Sequence, residues 1–179
     1  MISLSDFKDD APWVQDPVPF APINPADLGI ATLIEGVRLR RLLVNRDGRG
    51  NLTVLMSDLY APEDTTPHVY LVTAAARSIR AWVYHKRQSD RLAFTQGNVR
   101  VVLYDLRPES PTYGVLNVLD VGEANRLQLT IPPFVVHAVQ NRGDQDAQFV
   151  NMPTRAYDPA CPDKSRLPAD HPGIPYAFD

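Results

Sequence analysis

The residues best placed to do chemistry in this chain are two histidines and two arginines set in otherwise apolar, strand-like segments: His85, His137, Arg49 and Arg80. An imidazole exchanges a proton near neutral pH. A guanidinium offers a planar fork of donors that suits phosphate oxygens. Arg80 lies between Ile79 and Trp82 in an apolar run, where a strand turns it either inward or to solvent. Arg49 sits in Asp47-Gly48-Arg49-Gly50, a tight turn in which a solvated charge is the plainer reading. His137 follows Phe134-Val135-Val136 and reads either as a core histidine or as a ligand contact. His85 precedes Lys86 and Arg87, the pattern of an exposed strand end. On a regular strand it shares a face with Val83, unless a bulge intervenes.

Other chemistries find no support. There is no His-x-His pair, and no correctly spaced carboxylate accompanies His85 and His137, so no metal is expected. No Gly-rich phosphate loop, nucleophile elbow or dinucleotide fingerprint occurs, and no cofactor is expected. His171 lies in a proline-rich stretch and reads as solvated. Cys161, the sole cysteine, excludes an internal disulfide and has no histidine placed beside it by sequence. The net charge of -3 argues against nucleic acid or an anionic membrane as partner, but leaves room for a small anion held by a local arginine cluster. The N-terminus lacks the pattern of a signal peptide, and no apolar stretch is long enough to span a bilayer, so a cytoplasmic location is expected.

These side chains need a scaffold, and the pattern predicts an all-β one. Seventeen prolines disfavour long helices. Alternating or apolar runs predict strands over Val37–Val44, Asn51–Met56, Val69–Val72, Ile79–His85, Val99–Tyr104, Leu127–Ile131, Phe134–Val139 and Gln148–Asn151. Short helical turns are expected at Asp27-Leu28-Gly29, near Ser57-Asp58-Leu59 and in the tail. Short strands joined by Gly, Pro, Asn and Asp turns imply a sandwich or barrel. The expected organisation is a single domain over 1–179. An irregular N-terminal arm (1–33) would wrap it or reach a partner subunit, a jelly-roll core would span 34–157, and a proline-rich tail would follow (158–179).

Several segments, in order, resemble the dTDP-4-dehydrorhamnose 3,5-epimerase family of cupins. They are Asp47-Gly48-Arg49-Gly50, Arg80-Ala81-Trp82-Val83-Tyr84-His85, Asp105-Leu106-Arg107 followed by Ser110-Pro111-Thr112-Tyr113-Gly114, Ile131-Pro132-Pro133-Phe134-Val135-Val136-His137, and Tyr157-Asp158-Pro159. The resemblance implies a cupin-type double-stranded β-helix (jelly roll), a homodimer, and a nucleotide-diphosphate sugar as ligand. It implies that Arg49, Arg80, Arg91 and His137 contact the diphosphate or sugar, with Arg91 in place of a family lysine, and that Tyr157 lies near the nucleotide base.

The family reaction removes a proton beside a ketone and returns one on the opposite face. Here the position matching the family's histidine base is Val83, and the position matching its tyrosine acid is Asn151. A glutamine and an asparagine of the family become His68 and Tyr70. Valine accepts no proton. An amide donates hydrogen bonds to an oxyanion but does not replace a phenol as an acid. The expected function is therefore a divergent nucleotide-sugar enzyme with His85 or His68 as base and Asn151 near the oxyanion. One alternative is a noncatalytic nucleotide-sugar binding protein; a weaker one is a cupin isomerase or cyclase acting on an unrelated small molecule.

Overall fold

Thirteen short strands follow one another in the computed structural model, which describes residues 20–57 and 66–179. In chain order they are β1 (Phe20–Pro22), β2 (Arg38–Leu42), β3 (Asn45–Asp47), β4 (Gly50–Leu52), β5 (Tyr70–Ala74), β6 (Ile79–Tyr84) and β7 (Asp90–Gln96). Then come β8 (Asn98–Asp105), β9 (Leu116–Gly122), β10 (Leu127–Ile131), β11 (Val135–Asn141), β12 (Ala147–Asn151) and β13 (Ser165–Arg166). A six-stranded sheet runs β1-β2-β10-β7-β12-β5, and a five-stranded sheet runs β13-β6-β11-β8-β9. Every pairing is antiparallel. β3 and β4 form a separate hairpin. Two antiparallel sheets packed face to face make the expected all-β jelly roll.

The alternation of side chains explains the packing. Leu92 and Phe94 of β7, Phe149 of β12, Leu103 of β8 and Val135 of β11 point between the sheets. Phe94 and Phe149 meet with ring centroids 4.9 Å apart. The outer face of the five-stranded sheet is also apolar. Trp82, Val102, Val136 and Ala138 lie there beneath the tail residues Ile174, Tyr176 and Phe178. Trp82 is fully buried, and its indole N–H donates to the Ala169 carbonyl at 3.1 Å. The tail is thus a lid on a second core, built from β13 and turns. The short helix expected there is not formed among the described residues, because its prolines break the backbone ladder.

The expected turn at Asp27–Gly29 is a 3-10 turn over Pro25–Leu28, closed by Gly29 in the left-handed conformation. The N-terminal segment wraps the sandwich as far as it is described. β1 pairs with β2, and Asn117 of β9 accepts from the Ile34 N–H at 3.0 Å and donates to the Thr32 carbonyl at 2.8 Å. The first part of the predicted arm, residues 1–19, and the turn expected around Asp58 and Leu59 lie outside the described residues. The strand expected over Asn51–Met56 is shorter, ending at Leu52.

The Asp105-Leu106-Arg107 segment has a structural task. The fully buried Asp105 carboxylate accepts from Arg107 Nε, Ser110 Oγ and Thr112 Oγ1, each at 2.7 Å. Arg107 also donates to the Glu35 carbonyl at 2.6 Å. One carboxylate therefore fixes the β8–β9 loop and ties it to the N-terminal segment. Burial alone would raise its pKa, but these donors outweigh it and hold the group well below the usual carboxylate range.

Candidate active site

At one end of the sandwich, the ends of several strands bring polar groups together between the sheets. From the six-stranded sheet come Tyr70 at the start of β5, Asp90 at the start of β7 and Asn151 at the end of β12. From the five-stranded sheet come His137 in β11 and His85 just beyond β6. Residue parity on each strand accounts for the convergence. Asp90 shares the interior face with Leu92 and Phe94, and Asn151 shares it with Phe149. Tyr70 pairs directly with Asn151, so its side chain emerges on the same face. Val83 pairs directly with His137, and Arg80 with Val139, which places both on the interior side of β6. The bulge between these two pairs precedes Val83, so His85 keeps its face.

His85, Asp90 and His137 are 8%, 4% and 6% exposed. His85 Nε2 lies 3.2 Å and His137 Nε2 lies 3.5 Å from the same atom, Asp90 Oδ2. Gln88 Nε2 donates to the other carboxylate oxygen at 2.9 Å. His85 Nδ1 meets the Asp163 carbonyl, and His137 Nδ1 lies 3.3 Å from the Val135 carbonyl. Burial works against a charged His85 ring, but the hydrogen bond and charge of Asp90, with the Asp163 carbonyl, outweigh it and raise its pKa. Burial would likewise raise the Asp90 pKa, yet its bonds to His137 and His85 hold it far below the usual range. His85 is thus a buried member of a charged cluster, where the residues that follow it suggested an exposed strand end. The carboxylate that sequence spacing did not supply is Asp90, five residues on and across a turn.

Beside the cluster opens a cavity of about 290 Å³, lined among others by His68, Tyr70, His85, Tyr157 and Lys164. Asn151 Nδ2 donates to the Tyr70 hydroxyl at 2.7 Å, while the buried Asn151 Oδ1 finds no donor among the described residues. Burial and the Asp90 charge raise the Tyr70 pKa against the opposing effects of Asn151 and Arg80, so its phenol stays protonated. His68 stands 5.4 Å from Tyr70 between ring centroids. Lys164, which the sequence did not single out, has a lowered pKa because the protein removes water from its ammonium and Arg166 repels it.

The three arginines expected to grip a diphosphate do not converge. Arg49 lies in the β3–β4 hairpin, bonded to Asp47 with its side chain 92% exposed. Arg91 is fully buried, but it projects from β7 on the side opposite Asp90, where its Nε donates to the Met152 carbonyl at 2.7 Å. Strand parity separates Arg91 from the interior face. Only Arg80 stays near the cavity, where its charge acts on Tyr70 and Lys164. The cations at the cavity wall are instead Arg155 and Lys164.

The dTDP-4-dehydrorhamnose 3,5-epimerase family matches residues 31–176. The chain belongs to this family. Its relatives include the spore coat polysaccharide biosynthesis protein SpsL of Bacillus subtilis, 33% identical over 150 residues that span 82% of this chain and 97% of SpsL. The probable low-salt glycan biosynthesis epimerase Agl13 of Haloferax volcanii is 34% identical over 139 residues, 76% of this chain and 89% of Agl13. Among solved structures, a dTDP sugar isomerase from Desulfovibrio desulfuricans G20 superposes with a TM-score of 0.75 at 29% identity, covering 82% of this chain and 94% of that one. The family assignment extends over both walls of the cavity. Among the described residues, no helix is long and apolar enough to cross a membrane.

Proposed function

We propose that this epimerase-family protein binds a nucleotide-diphosphate keto-sugar in the cavity beside Tyr70. There it exchanges a proton on a carbon next to the ketone. The observation that carries this reading is the Asn151–Tyr70 pair: a phenol held by an amide at 2.7 Å, facing a cavity of about 290 Å³. Asn151 saturates one lone pair of the hydroxyl, which leaves the phenolic proton to be donated. Tyr70 is then the general acid, and Asn151 stabilises the phenolate formed when the proton leaves. Asn151 Oδ1 is positioned to accept from a sugar hydroxyl.

The base on this reading is His68. His85, the other candidate, already has both ring nitrogens directed at acceptors, so it offers no lone pair to a substrate carbon. His68 takes the proton, Tyr70 gives one back, and the two return to their starting states through solvent. The net change is exchange of the carbon-bound proton with solvent, and no other reactant is consumed. Arg80, Arg155 and Lys164 supply positive charge for the diphosphate, and Tyr157, 61% exposed at the rim, offers a face for the base. A homodimer accords with β5, an edge strand among the described residues, on which Leu71 is 59% exposed.

The test is incubation with dTDP-4-keto-6-deoxyglucose in heavy water. Deuterium entering at C3 or C5 is the expected result. Val83, standing at the position of the family's base, favours a second reading in which the protein binds the nucleotide sugar without turning it over. Saturable dTDP binding with no isotope exchange would establish that reading in place of the first.

A further inference from the structure

We propose that His85, Asp90 and His137 form a binding site for a transition-metal dication such as Zn²⁺, Mn²⁺ or Fe²⁺. Three strand ends of the two sheets deliver two imidazole Nε2 atoms and one carboxylate oxygen to a single buried point. The ligand atoms all lie within 4.8 Å of one another, and the two measured edges are 3.2 and 3.5 Å. Metal–ligand bonds of about 2.0–2.1 Å place neighbouring donors roughly 2.8–3.0 Å apart in octahedral and roughly 3.3–3.4 Å apart in tetrahedral geometry. The two measured edges fall within or just above that range, and the third lies within 4.8 Å.

The surrounding groups point the same way. A metal-bound histidine usually donates its other ring N–H to a carbonyl or carboxylate, which fixes the tautomer. His85 Nδ1 meets the Asp163 carbonyl, and His137 Nδ1 lies near the Val135 carbonyl. With both Nδ1 atoms placed against carbonyls, each Nε2 is turned toward Asp90 Oδ2, and release of the Nε2 protons would present two lone pairs and a carboxylate oxygen to one ion. Gln88 orients the carboxylate by bonding its other oxygen at 2.9 Å. A dication bound there would replace the Nε2 protons that otherwise lie between each ring and the carboxylate, with the same ligand atoms facing the same buried point. Two nitrogens and one carboxylate oxygen suit borderline metals better than calcium or magnesium, which prefer all-oxygen sites.

Three protein ligands leave coordination positions open. His85 and Gln88 both line the cavity, so those positions are directed toward its contents. A ketone oxygen bound there would be polarised, and the neighbouring C–H made more acidic. That catalytic role rests on the keto-sugar reading above; the metal site itself does not.

The experiment is metal uptake. The full-length protein is stripped with a chelator, dialysed against Zn²⁺, Mn²⁺ or Co²⁺ in turn, and its metal content measured by mass spectrometry. The Co²⁺ form is also examined by visible absorption. The wild type should retain about one ion per chain, with Co²⁺ bands of a nitrogen–oxygen site. His85→Gln and Asp90→Asn should each lower affinity at least ~100-fold, and Gln88→Leu about 10-fold. His171→Asn in the tail should retain full uptake. Absence of stoichiometric uptake by the wild type overturns the proposal, as does uptake unchanged in both ligand variants. If those variants do not fold, the wild-type titration and the Gln88→Leu shift decide. The two readings fail separately: uptake without isotope exchange sinks the keto-sugar reading alone, and exchange without uptake sinks the metal.

Discussion

Asn151 and Tyr70 face each other across directly paired positions of two antiparallel strands, and the amide of one donates to the hydroxyl of the other at 2.7 Å. The family that this chain resembles carries the phenol at the position of Asn151 and an amide at that of Tyr70. On the residue matches that the resemblance implies, the two side-chain types would have changed places across the ladder. A swap between cross-strand neighbours keeps both groups on one face and moves the hydroxyl by about one strand spacing, roughly 5 Å. On the proposed reading, the acid at the cavity wall is Tyr70 of β5 in place of a residue of β12.

Tyr70→Phe should therefore reduce deuterium exchange by about 100-fold to 10,000-fold, the usual worth of a general acid. It should leave dTDP affinity within about twofold, since no phosphate contact is removed. Asn151→Ala should also slow exchange, by a smaller factor, because it removes the donor that stabilises the phenolate. Rates unaffected by Tyr70→Phe would return the acid role to another group.

The arginines separate by affinity and stability. Arg91 is fully buried and bonded to the Met152 carbonyl. Arg91→Ala should destabilise the fold by about 2–4 kcal/mol through lost packing and unpaired acceptors, with dTDP affinity of the folded protein unchanged. Arg80→Ala should do the reverse, weakening dTDP binding about 10-fold with little change in the urea midpoint. Calorimetry beside urea titration distinguishes the two patterns.

What was legible in the sequence follows from period and punctuation. Strands with clean alternation, such as β8 and β10, and the turn at Asp47–Gly50 could be read directly. β7 and β9 could not. β7 begins with Asp90 and Arg91 and is buried on both faces through Phe94, so no polar face marks it. β9 carries the buried Asn117, a polar residue recruited to hold the N-terminal segment. Missing β7 meant missing Asp90, and with it the reason His85 is buried. It also left Arg91 to be judged by its match to a family lysine, when its parity against Leu92 and Phe94 directs it away from the cavity. Val83 and Asn151 were visible because a family motif exposes departures from it. The contact between Tyr70 and Asn151 was not, because pairing across β5 and β12 is a property of the fold.

Acid should unfold the protein through Asp105. Its pKa is depressed in the folded state, so its contribution to stability is complete above the unfolded value near 3.9 and declines as pH falls from there toward the folded value. The urea midpoint should drop steeply below about pH 4. In Asp105→Asn, which cannot accept all three donors as an anion, stability at pH 7 should be lower and this part of the acid dependence should flatten. An Asp105→Asn profile parallel to wild type would assign the acid sensitivity to other carboxylates.

The most direct probe of the departure from the family is Val83→His. Val83 pairs with His137 and faces the interior, on the same face as His85, so an imidazole introduced there would have its ring on the cavity side of β6. The position is partly rather than fully buried, which leaves room for a larger, polar side chain. His68 and Tyr70 lie on the opposing sheet, so a base at position 83 and the Tyr70 acid would approach a bound sugar from opposite sides. That is the arrangement a proton exchange with inversion requires. Val83→His should therefore raise deuterium exchange about 10-fold or more, with the nucleotide affinity unchanged. Combining it with Tyr70→Phe should cancel most of the gain, because the added base would have no acid to complete the exchange. A rate that stays flat in Val83→His, in a protein still folded and binding dTDP, would show that the loss of this side chain does not limit the chemistry. The base would then already be present elsewhere on the cavity wall.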